Sequence, residues 1–251
     1  MSQLFKPSAN SIAKISLLAF AGTPVLAILI GSTISRSSAN TRVGLALEQP
    51  IPFSHQHHAW ELGIDCRYCH TSVENAAQAG LPQTETCMSC HSVIWTNSPL
   101  LEPVRESYAS NKPIKWTKLN KVPEFVYFNH AAHVNKGISC NQCHGAVQHM
   151  PMTYKARTFF MKWCLECHRD PGKYMFTDKK NPQLSPREQV FNLYTKYQAD
   201  PKMVNMNEVE KKLLSGEEQK LPANMVKEGQ ALANDRGTQT KQLMDCSVCH
   251  Y

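Results

Sequence analysis

Ten cysteines occur in the chain, and each belongs to a Cys-x-x-Cys-His run. The runs are Cys66-Arg67-Tyr68-Cys69-His70, Cys87-Met88-Ser89-Cys90-His91, Cys140-Asn141-Gln142-Cys143-His144, Cys164-Leu165-Glu166-Cys167-His168 and Cys246-Ser247-Val248-Cys249-His250. In such a run the two thiols add to the vinyl groups of a haem, and the imidazole that follows lies under the iron. The expected cofactors are five covalently bound haem c groups, with His70, His91, His144, His168 and His250 as proximal ligands. Structural zinc sites and redox dithiols also use Cys-x-x-Cys, but neither needs a histidine after every second cysteine. With every cysteine consumed in this way, a disulfide scaffold is excluded.

The first cysteines of successive runs are separated by 21, 53, 24 and 82 residues, which implies two close pairs and a single. Upstream of the first pair stands Phe53-Ser54-His55-Gln56-His57-His58, leading to Gly63-Ile64-Asp65-Cys66. Upstream of the second stands Phe128-Asn129-His130-Ala131-Ala132-His133, leading to Gly137-Ile138-Ser139-Cys140. The shared pattern, Phe-x-His-x-x-His then Gly-Ile-x-Cys, is an internal repeat with a period of about 75 residues and one gap. Histidines three apart are neighbours on a helical turn, so each can address a different iron. The repeat nominates His55, His58, His130 and His133 as sixth ligands of four haems.

One iron is then left without a nominated sixth ligand. His149 and Met150 are the first candidates because they lie within the second repeat; Met152, His57 and the other methionines stay open. A Met ligand would raise the potential of its haem relative to a bis-His haem. His57 has no counterpart in the second unit and is expected to be solvated or to support its neighbours. The remaining methionines are expected to fill gaps in the core.

These motifs must be carried by a scaffold and held in a compartment. Between Lys14 and Arg36 lie 21 residues without a charge. As a helix they span about 31 Å, enough for the hydrocarbon core of a bilayer. A secretory signal cut near Ser37-Ser38-Ala39 is the competing reading. Basic residues flank both sides of the segment, so charge does not orient it. Covalent haem attachment takes place outside the cytoplasm, which gives a single-pass anchor in the cytoplasmic membrane with the haem domain on the periplasmic or outer face.

The expected fold is mainly α with much irregular structure: a transmembrane anchor over residues 1–40, a tetrahaem core of two repeated dihaem units over 41–178, and a helical segment over 179–251 that carries the fifth haem. Residues 96–127, rich in proline, read as an irregular connector. Ser185-Pro186-Arg187-Glu188 is a capping box that opens a helix ended by Asp200-Pro201, and a second short helix runs from Asn207 to Leu214 with Gly216 as its stop. Trp95, Trp116, Tyr127, Phe128, Phe159, Phe160 and Trp163 are expected to pack on haem faces. The formal charge of +7 omits the cofactors. Counting two propionates and one iron per haem brings it to about +2 oxidised and about −3 reduced. No basic run with interleaved aromatics points to nucleic acid.

With these motifs the chain resembles the pentahaem cytochrome c subunit of alternative complex III, a bacterial quinol-oxidising complex of respiration and photosynthesis. The resemblance rests on the N-terminal apolar segment, the 2+2+1 motif arrangement, His58-Ala59-Trp60 before the first motif, and Trp163 with Arg169 around the fourth. The paired-histidine units also resemble class III multihaem cytochromes. The resemblance implies electron transfer without a substrate site in this chain. It further implies partners: polytopic membrane subunits, an iron–sulfur subunit, a monohaem cytochrome subunit, and an acceptor such as a soluble cytochrome c, a blue copper protein or an oxidase. The alternatives are a self-sufficient membrane-anchored quinol dehydrogenase and a terminal multihaem reductase. The second needs an iron with an open or unusual site.

Thioether attachment has a direct test. Haem stain is expected to stay with the 28.3 kDa chain on a denaturing gel. A pyridine haemochrome assay is expected to return five haems per chain, and two or three would break the motif reading.

Overall fold

The computed structural model describes Lys6 and residues 8–175, 177–216 and 226–250. The chain divides into two compact units, residues 1–45 and 46–251.

The first unit is dominated by α1 (Ser8–Arg36), which has no buried residue and a mean hydropathy of 2.0 over its most apolar stretch. At 29 residues it is about 43 Å long, so it is long and apolar enough to cross a membrane. Pro24 interrupts its hydrogen-bond ladder, and one residue earlier the Thr23 hydroxyl donates to the Ala19 carbonyl at 2.6 Å. Hydroxyls of this kind satisfy carbonyls in apolar helices. A single turn, α2 (Ser38–Thr41), follows.

The second unit is built of short helices joined by irregular chain, with isolated bridges and no regular strand among the described residues. Each Cys-x-x-Cys-His run opens, spans or closes a helical turn. These turns are α3 (Cys66–Cys69), α4 (Thr84–His91), α7 (Cys140–His144), α8 (Met161–Arg169) and α13 (Cys246–Cys249). The spacing of three residues puts both thiols on one face of a turn. Side-chain caps fix where two of the turns begin: Asp65 accepts from Arg67 N–H, and Ser139 accepts from Asn141 N–H.

The two repeats fold alike apart from their gap. In the second, His130 opens α6 (His130–Val134), and Ile138 N–H donates to the His133 carbonyl at 3.2 Å. The corresponding bond in the first runs from Ile64 N–H to the His58 carbonyl at 3.1 Å and encloses one residue more. That extra residue is absorbed in a π-helical turn, Gln56–Glu61, the wide form a helix takes when one residue is inserted.

Within the expected irregular connector, Glu102–Ser110 form a helix, α5. Pro103 lies in its first turn, where a missing N–H costs no internal hydrogen bond, and Val104 and Ser107 are buried along one face. The Ser107 hydroxyl meets that of Thr84 at 2.6 Å, so α5 braces α4.

The C-terminal helices follow their capping signals. α9 (Pro186–Ala199) carries the Ser185–Glu188 capping box, and α10 (Glu208–Ser215) carries a second box, Asn207–Glu210, and ends at Gly216 with φ +75°. Val190, Leu193, Tyr197, Met206, Leu213 and Leu214 form the larger buried cluster. Phe191, on the same helix, packs instead on Val73 and Val134, one residue from each repeat unit. The segment after residue 179 is thus packed onto the rest of the unit. α11 (Val226–Asp235) lies on the turn Pro171–Lys173, where a Cβ on Gly172 would come within 2.5 Å of the Gly229 carbonyl carbon. α12 (Thr240–Leu243) leads into the last motif.

One ionic network pins α9 to α10. Lys196 donates to Asp178 at 2.5 Å and to Glu210 at 3.3 Å, and both carboxylates are almost wholly buried. Burial alone would raise the Asp178 carboxyl, but hydrogen bonds from Asn181 and Lys196 hold it below its ordinary value. Its contribution is therefore complete above the unfolded value of about 4 and is lost as the pH falls through the lower folded one. Lys196→Met leaves two carboxylates buried without their cation and is expected to destabilise the unit by about 3–5 kcal/mol in denaturant titrations. The triple change Lys196→Met, Asp178→Asn, Glu210→Gln is expected to recover much of that loss and to weaken the acid dependence.

Candidate haem-attachment and ligand sites

The four nominated histidines each face a motif histidine. Ring centres are 6.4 Å apart for His55 and His70, 6.3 Å for His58 and His91, 6.3 Å for His130 and His144, and 6.2 Å for His133 and His168. Two imidazoles bonded through Nε2 to opposite sides of one metal, at about 2.0–2.1 Å each, have centres about 6.3 Å apart. All four pairs have that spacing, with interplanar angles of 8°, 65°, 7° and 25° in the same order.

The opposite ring nitrogen is held in every case. The Nδ1 atoms of His58, His70, His91, His130, His133, His168 and His250 face backbone carbonyls of Ser54, Gly80, Ile94, Ala77, Asn129, Leu243 and Phe125 at 2.7–3.3 Å. His55 Nδ1 faces the Thr153 hydroxyl at 2.8 Å. His144 Nδ1 lies 3.1 Å from the side-chain amide of Asn120, whose Oδ1 has no partner; with that oxygen turned to the ring it accepts as the carbonyls do. A proton held on Nδ1 by an acceptor leaves Nε2 bare, the tautomer a metal takes. Burial above all favours the neutral form of four of them: His55 and His144 are each pushed down to about 4, and His58 and His133 are lowered.

The repeat phenylalanines wedge the distal rings in place. Phe53 stacks on His58 at 4.5 Å and meets His55 edge-on at 4.9 Å; Phe128 stacks on His133 at 4.7 Å and meets His130 edge-on at 4.8 Å. The expectation for Phe128 was a haem face, and its neighbours here are the two imidazoles. The signal was present, since Phe is an invariant position of the internal repeat.

His149 and Met150 are placed otherwise. His149 is turned the opposite way from the nine rings: its Nε2 lies 2.8 Å from the Tyr197 hydroxyl, and its ring packs against Trp60 at 5.0 Å. The Met150 side chain is 2% exposed, and its carbonyl accepts from Gln56 N–H at 3.1 Å. Neither shares with His250 the ring spacing of the other four pairs; His250 has Phe125 beside it, with ring centres at 5.7 Å. His57 pairs with Glu61 at 2.8 Å and lies beside Trp95. Nothing in these contacts gives the fifth motif a second protein ligand.

The donor chemistry fits haem c better than the alternatives. Among the described residues no three His, Cys, Asp or Glu side chains converge as a zinc site requires. None of the ten cysteines forms a disulfide. Burial pushes the Cys143 thiol up to about 12 and raises those of Cys66 and Cys140, which is the opposite of what an activated redox dithiol needs. Apolar side chains flank the motifs in the open, among them Tyr68, Ile94, Trp95, Tyr127, Phe160 and Met161. Beside Cys164 the buried Trp163 Nε1–H has no protein acceptor, and a propionate is one kind of group it suits.

Comparison with known proteins agrees with this chemistry. Residues 126–183 match the family described as cytochrome c7 and related cytochrome c, and residues 32–101 match the class III cytochrome C family. These segments are multihaem c-type cytochrome domains. A stretch of 98 residues is 43% identical to the menaquinone reductase, multiheme cytochrome c subunit, of Nitratidesulfovibrio vulgaris. The match covers 39% of this chain and 46% of that protein.

Two substitutions separate ligands from neighbours. His149→Gln is expected to leave the low-spin haem spectrum unchanged, because its Nε2 is engaged by Tyr197. Phe128→Ala, which frees His130 and His133 to rotate, is expected to broaden or shift the low-spin electron paramagnetic resonance signals of the second unit while thioether attachment persists.

Proposed function

We propose that this chain is an electron-transfer subunit of a membrane quinol-oxidising complex, carrying five c-type haems and delivering electrons to an acceptor outside the cytoplasm. The observation that supports this reading is the set of four imidazole pairs at one spacing, each with Nδ1 held and Nε2 bare. Haem c supplies reversible one-electron chemistry when bound. The chain's residues would do the rest: the cysteine pairs would attach it, His70, His91, His144, His168 and His250 would each ligate one iron, and His55, His58, His130 and His133 would give four of those irons a second ligand. Four irons with two protein ligands each would leave no position for a substrate at those haems, which favours quinol chemistry in neighbouring subunits.

α1 is the single-pass anchor in this reading, with its N-terminus in the cytoplasm and the haem domain on the outer face. The partners are those of alternative complex III: polytopic membrane subunits, an iron–sulfur subunit and a monohaem cytochrome subunit. A soluble cytochrome c, a blue copper protein or an oxidase takes the electrons. The relative described as a menaquinone reductase subunit favours a second reading with the same wiring and the opposite direction, from an outer donor to quinone.

A native gel of gently solubilised membranes, stained for haem, tests the assignment. The chain is expected within an assembly several times its own mass, and migration alone would overturn the subunit reading. Added menaquinol is expected to reduce the haems of that assembly. If menaquinone instead oxidises them while an outer donor is supplied, the second reading holds. Rapid carbon monoxide binding by several reduced haems would contradict closed coordination.

A further inference from the structure

The structure places the attachment motifs in a row that does not follow the sequence. We infer that the order in space is second, first, third, fourth, fifth, so that the first and third motifs join the two dihaem units and the second and fifth are the ends. This rests on the haem reading proposed above and concerns only where the chain puts the groups it holds.

Within each unit the neighbours are fixed by the shared helical turn. His55 and His58 face the first and second motifs, and Tyr68 of the first touches Ser89 of the second, Oη to Oγ at 2.8 Å. His130 and His133 face the third and fourth in the same way.

Among the described residues the hydrogen bonds between the units are reciprocal and run through the loops after the first and third motifs. The loop after His70 receives the first distal histidine of the other unit: the His130 backbone N–H and Nδ1 both reach the Ala77 carbonyl at 3.0 and 2.9 Å, and Ala131 N–H reaches the Ala76 carbonyl at 3.2 Å. The loop after His144 receives His55 in return, Nδ1 to the Thr153 hydroxyl at 2.8 Å, with Gln56 N–H on the Met150 carbonyl at 3.1 Å. Gln56 and Ala131 are repeat equivalents, as are Met150 and Ala76, so the same backbone bond is made twice in reciprocal directions, while the histidine acceptors, Ala77 and Thr153, differ. Asn135 adds a third tie, to the Glu74 carbonyl at 2.9 Å. The second motif is braced instead by α5, through Thr84 and Ser107.

The fifth motif attaches at the far end. Tyr127 N–H reaches the Cys249 carbonyl at 2.8 Å, His250 Nδ1 reaches the Phe125 carbonyl at 3.2 Å, and His168 Nδ1 of the fourth motif reaches the Leu243 carbonyl just before the fifth at 3.3 Å. The fourth and fifth motifs are therefore adjacent.

Iron positions in an electron cryomicroscopy map of the haem-loaded full chain, purified with whatever accompanies it from membranes, test the order. The iron at Cys66 and Cys69 is expected between those at Cys87 and Cys90 and at Cys140 and Cys143, with the fifth iron nearest the fourth. A map in which the second iron is nearest the third overturns the inference, whatever partners are present; haem-free motifs would instead overturn the ligation reading. A redox titration of variants gives a solution check. His55→Met raises the potential of the first haem. The third haem is then reduced beside an already reduced neighbour and is expected to titrate lower, whereas His58→Met at the row's end is expected to leave the third unchanged. The opposite pattern would place the second motif at the junction.

Discussion

The arrangement depends on a proton that must stay on one nitrogen of each imidazole. Nine rings keep it on Nδ1 because each faces an oxygen acceptor or the Asn120 amide, and burial keeps the best enclosed of them neutral. An imidazole so held offers Nε2 in a fixed direction, and helical turns only have to bring two such rings to opposite sides of a common space. The short helices, the wedging phenylalanines and the crossing loops all serve that condition. His149, whose Nε2 is engaged by a tyrosine hydroxyl, shows what a ring outside the condition looks like.

This division of labour explains why so little regular structure suffices. Extended sheets or long bundles would bury apolar area between their own faces, whereas here the larger side-chain cluster is made by α9, α10, the link between them and Trp60. That cluster is a buttress: Phe191 reaches from it to Val73 and Val134, and Tyr194 Oη lies 3.1 Å from both Ser139 and Asn141 at the start of the third motif. The Lys196 network fixes the buttress, so its acid sensitivity passes to the motifs it supports.

Much of the site was legible because its chemistry is local. A Cys-x-x-Cys-His run is recognisable in five residues, and the repeat nominates four histidines that the fold sets opposite motif histidines. The capping box at Ser185, the short helix from Asn207 and the stop at Gly216 are legible for the same reason, whereas the second box, Asn207–Glu210, appears only in the structure. What the sequence hid is non-local. Thr153 and Ala77 lie 98 and 53 residues from the histidines they hold, and neither is of a type that announces a role. α5 was hidden by its prolines, since composition does not distinguish a proline that breaks a helix from one in its first turn. The gap between the repeats was visible, but its accommodation in a π-helical turn was not.

The reciprocal crossing has a consequence for independence. One repeat unit alone has a histidine lacking its acceptor and a loop carbonyl lacking a donor, and each need is met by the other unit. The halves meet as in an isologous contact, so the ring orientation in neither half is complete without the other. Around that contact the halves differ: one has an extra residue and His57, and the other carries Phe125 and Tyr127, which meet the fifth motif.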